Sequence, residues 1–302
     1  VILKDNSNTT KTAVYTKESE IVKSHYTATN LAYLSLVFMG GPSKVIVERV
    51  QTSDNISDAL ERLKNKRWYY LAVPGLGDGE TDTVVEYIKE QRTQYHKTFK
   101  AILPLAAADN EGIINFATDN IKVGAKTYTT AEFCCRIAGI LAGLPLNRST
   151  TYYTLPEVES ITESETPDDD VDNGKLILIN DGTKIKIARG VNSLTTTTED
   201  KGEDFKKIKI IEAVDMIRDD IRATFEDEFV GKIENSYDNK IVFIAAVNKY
   251  FKDIANRGVL YDKYDNKAEI DIDETREWLS KTRDVSSWDD EKIKTANTGT
   301  NV

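Results

Sequence analysis

The stretch Leu71–Thr81 reads LAVPGLGDGET, and the fold turns on how it is read. An apolar run, WYYLAV (Trp68–Val73), feeds a glycine-rich turn, and TDTVVEYIKEQR (Thr81–Arg92) follows with helical character. This is the layout of a phosphate loop, in which glycines let backbone N–H groups converge on an anion at a helix N-terminus. The dinucleotide fingerprint needs G-x-G-x-x-G, and the P-loop needs G-x-x-x-x-G-K-[ST]. Gly75, Gly77 and Gly79 form G-x-G-x-G, which meets neither spacing, and no lysine follows. Asp78, Glu80 and Asp82 place carboxylates where a phosphate would sit. The turn therefore reads as a plain strand-to-helix connection. Thr81 or Asp82 is the expected N-cap, with the acids complementing the helix dipole.

Around this turn, strand and helix signals alternate. VILKD (Val1–Asp5) and the β-branched KVIVERV (Lys44–Val50) read as strands, and Asn30–Phe38 as a buried helix. Ser57–Lys66 puts Ala59, Leu60 and Leu63 on one helical face after a serine cap. Val84–Gln94 is the next helix and Phe99–Leu105 the next strand, while Ile114–Thr118 and Lys122–Thr129 suggest a closing strand pair or a connection. This alternation predicts a doubly wound α/β layer with a mostly parallel sheet over residues 1–125.

An α+β domain is expected over 126–302. Thr129–Leu146 carries Phe133, Cys134, Ile137, Ala138, Leu141 and Leu144 at helical spacing, ending at Gly143 and Pro145. Its small residues Ala138, Gly139, Ala142 and Gly143 would admit another element at close range. The acidic Glu159–Gly174 reads as an exposed loop. Leu176–Ile179 and Ile185–Ala188 flank Asn180–Asp181–Gly182–Thr183, a hairpin signal. Ile208–Phe229 and Lys240–Ala255 are long helices, the second ended by Gly258. Lys267–Asp273 alternates like a half-exposed strand, Asp273–Lys281 opens a short helix, and a polar tail follows.

Composition removes several classes of function. The 302 residues include 40 basic and 50 acidic side chains, a net charge of −10 that argues against a nucleic-acid partner. No apolar run reaches the roughly 18 residues of a membrane span. The adjacent Cys134 and Cys135 lack nearby ligand partners and read as small buried residues in a reducing cytosol. His25 and His96, the only histidines, sit in polar surroundings and are expected at the surface. The acidic runs Asp168–Asp170, Glu226–Glu228 and Asp289–Glu291 lie in charge-rich segments. Asp109–Gly112 lacks the alternating ligands of a calcium loop. No nucleophile elbow, zinc-binding helix or Cys/His set occurs. No catalytic, cofactor or metal residue is assigned.

Other stretches carry a resemblance. Ala138–Val158 (AGILAGLPLNRSTTYYTLPEV) and Ile185–Thr196 (IKIARGVNSLTT) resemble contractile phage tail sheath proteins, best those of prophages and R-type bacteriocins of Gram-positive bacteria. Glu111–Thr118, Lys201–Arg222 and Val230–Lys240 are similar to further family segments in the same order, and Ala296–Val302 resembles the sequence before the family's last strand. The likeness is specific in the second half and weaker in the first hundred residues.

The resemblance implies a structural subunit, made in the bacterial cytoplasm, that polymerises as a helical tube around an inner tail tube. Contraction would then drive that tube through a cell envelope. Implied partners are other sheath subunits, the inner tube protein, and the baseplate and tail terminator proteins. The product would be a virion tail or a released phage-tail-like particle. The first-half domain would project outward and the second-half domain face the tube. Family members usually continue beyond both ends into arms that add strands to neighbouring subunits. The chain is therefore expected to be a core fragment, largely monomeric.

Leu176, Leu178, Ile185, Ile187, Arg189 and Gly190 are the candidate interface residues. Arg189–Gly190 either marks an inter-subunit joint, with Gly190 at φ > 0 under a neighbour's backbone, or is an ordinary strand exit. Ala268–Asp273 is a second candidate edge, or an acidic guard against mispairing. Two other functions compete: an enzyme or ligand-binding domain using the Gly75–Gly79 loop, and a surface module that adheres to a host receptor.

Overall fold

The computed structural model describes residues 1–77 and 79–299. Asp78 and Thr300–Val302 lie outside the described residues, and with them the reading of Asp78 in the loop and the end of the Ala296–Val302 resemblance. In chain order the elements are β1 (Ile2–Lys4), β2 (Thr12–Tyr15), α1 (Ala28–Phe38), β3 (Val45–Val50), α2 (Ser57–Leu63), β4 (Tyr70–Ala72) and α3 (Glu80–Thr93). Then come β5 (Lys100–Pro104), β6 (Ile113–Phe116), β7 (Asp119–Val123), β8 (Lys126–Tyr128), α4 (Thr130–Gly143), β9 (Ser160–Thr162), α5 (Pro167–Asp172) and β10 (Lys175–Leu176). The last are β11 (Leu178–Asn180), β12 (Ile185–Ile187), α6 (Ile208–Glu228), α7 (Tyr237–Asn256), α8 (Ile272–Ser280) and α9 (Asp290–Thr295).

Contacts divide the chain into two units, Val1–Glu212 and Ala213–Val302. The expected boundary after residue 125 is thus moved to 212. The physical reason is that the segments after residue 125 complete the first unit. Strand β10 joins β6 in parallel, and α4 packs in the same core as α1, β4 and β5.

In the first unit, strands pair in the orders β1-β3-β2 and β10-β6-β5-β4, parallel throughout except for β2 against β3. One core cluster joins Leu3, Val47, Ala72, Ile102 and Phe116 to side chains of α1 and α4. The other joins Ile2, Val50, Leu71, Ala101 and Leu103 to α2 and α3. Each cluster draws on both strand sets, and alternating residues of β1 and β5 go to opposite faces, as the strand period of two requires. This is the expected α/β layer with helices on both faces.

Helix α4 opens with a capping box, Thr129 and Glu132, and Glu132 also accepts from Tyr33 Oη of α1 at 2.5 Å. Its small residues meet α1 at backbone distance. A Cβ on Gly139 would lie 2.1 Å from the Val37 carbonyl oxygen, and one on Gly143 would lie 2.0 Å from that of Gly40. Cys134 and Cys135 are fully buried beside this contact, and burial pushes the Cys135 thiol up to about 12.

Several local expectations are corrected. Helix α2 is preceded by Ile56 with no side-chain cap; Ser57 lies inside the helix, and its N–H donates to Asn55 Oδ1 at 3.0 Å. Ile114–Thr118 supplies a parallel strand of the main layer, whereas Lys122–Thr129 makes the β7–β8 hairpin. The stretch Glu159–Gly174 is not all loop, since β9 pairs with β7 and Pro167 starts the short α5. His96 is exposed as expected, but His25 is half-buried, with its carbonyl accepting from Arg49 Nη2 at 2.7 Å. The polar tail contains α9, whose Ile293 packs with Leu279 and Val285.

Two buried carboxylates of the first unit, Glu48 and Glu111, are paired with cations. Glu48 is fully buried and held by Arg62 Nε at 2.6 Å, by Lys66 and by Thr12. Glu111 meets Arg92 at 3.5 Å and Lys201 at 3.0 Å. Burial pushes the Glu111 carboxyl up, but those two cations outweigh it and hold the group below its ordinary 4.5.

Three substitutions test this packing. Gly139→Ala should cost about 3 kcal/mol in denaturant unfolding, because a rigid backbone carbonyl occupies the new methyl's place. Gly75→Ala, with open space around it, should change stability by less than about 0.5 kcal/mol. For Glu111, a folded pKa below the unfolded one means that the stabilisation is present above the unfolded value and lost as pH falls through the folded value. Glu111→Gln should therefore cost about 3 kcal/mol near neutral pH, and the gap from the parent should narrow below about pH 4.5.

Candidate functional site

The glycine turn is the first place to look for chemistry. In open α/β sheets, ligands sit beyond the carboxyl ends of strands where the strand order reverses. The glycine turn lies at the carboxyl end of β4 and leads into α3. There the Glu80 carboxylate accepts from Gly77 N at 2.5 Å and from Lys4 Nζ at 2.9 Å. Burial pushes this carboxyl up, but donation from Gly77, Lys4 and the Ile56 N–H holds it below its ordinary value. The donors that would greet a phosphate are already occupied by the chain's own carboxylate. The N-cap is Gly79 at φ 75°, not Thr81 or Asp82, because the tight turn into α3 requires the left-handed region.

The hairpin is built as expected in β11 and β12, with Asp181 Oδ1 accepting from Thr183 N and Lys184 N. Leu176, however, lies outside it, on β10 beside β6. Leu176, Leu178, Ile185 and Ile187 are all buried in the first unit's core. The outer edge of β12 is also filled from within the chain: Tyr152 N donates to Ile187 O, Ile187 N to Tyr153 O, and Leu155 N to Ile185 O. Thr118 Oγ1 accepts from Leu178 N on β11 at 2.8 Å. These side chains hold the fold together and leave β12 no open edge.

Gly190 corrects another expectation. Its φ is not positive, and the group that requires a glycine is Thr150 of the same chain, whose Oγ1 would lie 2.3 Å from a Cβ. Arg189 is exposed and lines a polar cleft of about 1010 Å³ with Tyr152, Asp168, Asp172, Lys207 and Lys209. Of the six candidates, it alone presents a side chain outward.

The second unit holds a site that the sequence reading missed. Phe225 of α6 and Phe229, one residue past its end, meet Phe243 of α7, with ring centroids 5.0–6.1 Å apart. These rings, with Ile244, Val247, Ile270 and Trp278, line an apolar groove of about 600 Å³. Among them only Val247 is buried; the others are half-covered. Tyr250 Oη donates to Asp220 Oδ2 at 2.7 Å and ties α7 to α6. Among the described residues of this unit, the buried apolar side chains are Ala213, Val247, Ile254, Leu279, Val285 and Ile293. A unit so thinly cored leaves large aromatic area against water, the mark of an interaction surface. The available signal was Ile241–Val247, IVFIAAV, which is apolar around the whole helix rather than on one face.

Beside the groove, Lys267–Asp273 is not a strand. Asn248 of α7 takes the place of a strand neighbour, its Oδ1 accepting from Ala268 N at 2.6 Å and its Nδ2 donating to Ala268 O at 3.2 Å. Asp271 then caps α8. Among the described residues, no helix is long and apolar enough to cross a membrane, and no group of three or more His, Cys, Asp or Glu could hold a metal.

Residues 50–193 match the family described as phage tail sheath protein central domain, and residues 200–293 match the phage tail sheath C-terminal domain. A tail sheath protein of Clostridium phage phiCD119 is 37% identical over 312 residues, covering 100% of this chain and 86% of that protein. A phage-like element PBSX protein of Bacillus subtilis is 23% identical over 58% of this chain, which spans 39% of that protein. Among solved structures, the helical sheath of the anti-feeding prophage in its contracted state superposes with a TM-score of 0.65 at 12% identity, covering 85% of this chain and 77% of that one. A sheath tail protein from Listeria innocua gives 0.64 at 20% identity, with 76% of this chain on 56% of its own. At these identities the two structural likenesses speak to the fold.

Two substitutions test the local geometry. Gly190→Ala should cost about 2 kcal/mol through the clash with Thr150, and Thr150→Ala in the same chain should recover part of that loss. Asn248→Ala should cost about 1–3 kcal/mol by leaving Ala268 unsatisfied, read as faster amide exchange at Ala268.

Proposed function

The chain belongs to the phage tail sheath family and is a structural subunit of a contractile tail sheath, not an enzyme; on that premise we propose how it assembles. The observation that carries the reading is the full-chain likeness to a phage tail sheath protein, with both sheath domains matched in their order. The subunits polymerise as a helical tube around an inner tail tube, with the baseplate and a terminator at its ends. Contraction drives that tube into the target envelope. Synthesis and assembly take place in the bacterial cytoplasm, and the product is a phage tail or a bacteriocin-type particle.

The first unit is the rigid body of the subunit, and the second carries the surface that a neighbour covers. Support for this division comes from their cores: the first is closed on both sheet faces, while the second exposes its aromatic groove. The groove receives an extended segment of a neighbouring subunit, whose main chain lies along the open stretch near Ile270. Connectivity then persists while rigid bodies rotate during contraction. Arg189, outside the core, is a second contact in the same lattice. Contacts that do not close by rotation propagate as a helix rather than a ring.

Phe229→Ser, introduced in a cell that makes the particle, should abolish tubes in negative-stain electron micrographs. The purified variant should keep the parent's first-unit unfolding transition. Tubes of normal length from this variant would overturn the groove as the subunit contact. Arg189→Glu should shorten tubes or raise their salt sensitivity without changing the monomer's stability by more than about 0.5 kcal/mol.

A further inference from the structure

Among the described charged residues that line the aromatic groove, only Lys240 is half-buried, while Glu234, Glu269 and Glu274 are exposed. The Lys240 ammonium donates to Thr298 Oγ1 at 2.8 Å and makes no ion pair among the described residues. Glu269 is held by Lys267 at 3.2 Å. The stem of a surface lysine can cover apolar area while its ammonium stays in water. Here burial lowers the affinity of the Lys240 amine for its proton, and a hydroxyl brings no opposite charge. Solvated carboxylates at the rim act weakly through water, whereas an anion set beside a partly desolvated cation is held strongly. The inner groove therefore favours an anionic head, although its rim is acidic.

The other polar side chains of the wall are used by the chain itself. Asn239 Nδ2 donates to Glu234 O at 2.8 Å, Asn235 Nδ2 to Thr298 Oγ1 at 3.0 Å, and Thr275 Oγ1 to Asp271 O. Around them Phe225, Phe243, Ile244, Ile270 and Trp278 enclose about 600 Å³, an ordinary volume for a small-molecule site. One charged hook on an apolar wall matches a ligand with one charged head and a hydrocarbon body.

We propose that this groove binds a free medium-chain fatty-acid carboxylate, its head against Lys240 Nζ and its alkyl chain along Phe225, Phe243 and Trp278. Removal of the alkyl chain from water drives binding, and Lys240 selects the sign of the head group. The site does not depend on the groove being a subunit contact. One consequence rests on that reading: a bound fatty acid and a neighbour's segment exclude each other, so the ligand keeps subunits apart.

The test is titration calorimetry of the purified chain with dodecanoate and with dodecyltrimethylammonium, each below its micellar concentration. The expected result is one dodecanoate per chain, bound at least about tenfold tighter than the cationic amphiphile. Binding should shift the tryptophan emission, and Trp278→Phe should remove that shift. Lys240→Met should abolish the preference for dodecanoate while leaving the unfolding curve unchanged, and Lys240→Arg should keep it. Equal affinity for the two head groups, or an unchanged dodecanoate affinity in Lys240→Met, overturns Lys240 as the head-group partner. Uptake of many dodecanoates without saturation overturns the site as a defined one. Binding to phosphatidylglycerol vesicles with none to dodecanoate overturns it in favour of a membrane surface. Saturating dodecanoate should also suppress tubes in negative-stain micrographs. Normal tubes with dodecanoate bound overturn the competition and leave the ligand site standing. No dodecanoate binding, with tubes still lost in Phe229→Ser, overturns this inference and leaves the subunit contact standing.

Discussion

The first unit depends on two helices being allowed to touch backbone to backbone. Gly139 and Gly143 on α4 face Val37 and Gly40 at the end of α1, and no side chain fits between them. This approach brings α1 and α4 onto one face of the sheet together, so that Phe133, Cys134 and Ile137 reach the same cluster as Leu34 and Val37. The Tyr33–Glu132 hydrogen bond fixes the start of α4 against α1. Because α4 lies far along the chain from β1 to β5 yet fills their face, the domain does not close until residue 212.

The other face shows why an α/β layer of this kind need not be an enzyme. Such a fold offers a ligand crevice at its strand ends, and here Glu80 occupies the equivalent donors from inside. The Lys4–Glu80 pair joins β1 to the start of α3, which turns a position suited to binding into a structural tie. A sheath subunit must transmit force through a body that does not open, and an internal carboxylate serves that need better than an exchangeable ligand.

The second unit is arranged the opposite way. Its helices are tied by Tyr250–Asp220 and by a small cluster around Leu279, while Phe225, Phe229, Phe243 and Trp278 stay half-covered. A solitary domain would bury these rings, since burying a large aromatic side chain stabilises by about 1.5–3 kcal/mol. Leaving them accessible keeps that stabilisation for whatever covers them. One polypeptide thus holds a body closed by its own side chains and a body with an open aromatic face.

By itself the sequence determined the alternation of strands and helices in the first unit, the small-residue stripe of Ala138–Gly143, the Asp181–Gly182 turn and the two long helices. These features follow from side-chain period and turn chemistry, which act over a few residues. It also showed that Gly75–Gly79 has the wrong spacing for phosphate. Tertiary structure alone decided which partner each group takes. Lys4 reaches Glu80 across 76 positions, and Thr150 lies over Gly190. Asn248 lies 20 positions from Ala268 and replaces the strand neighbour that the alternation of Lys267–Asp273 implied. The aromatic groove was hidden for the same reason. Phe225 and Phe243 are apolar positions on two separate helices, and only the packing of α6, α7 and α8 shows that among the described residues no core covers them.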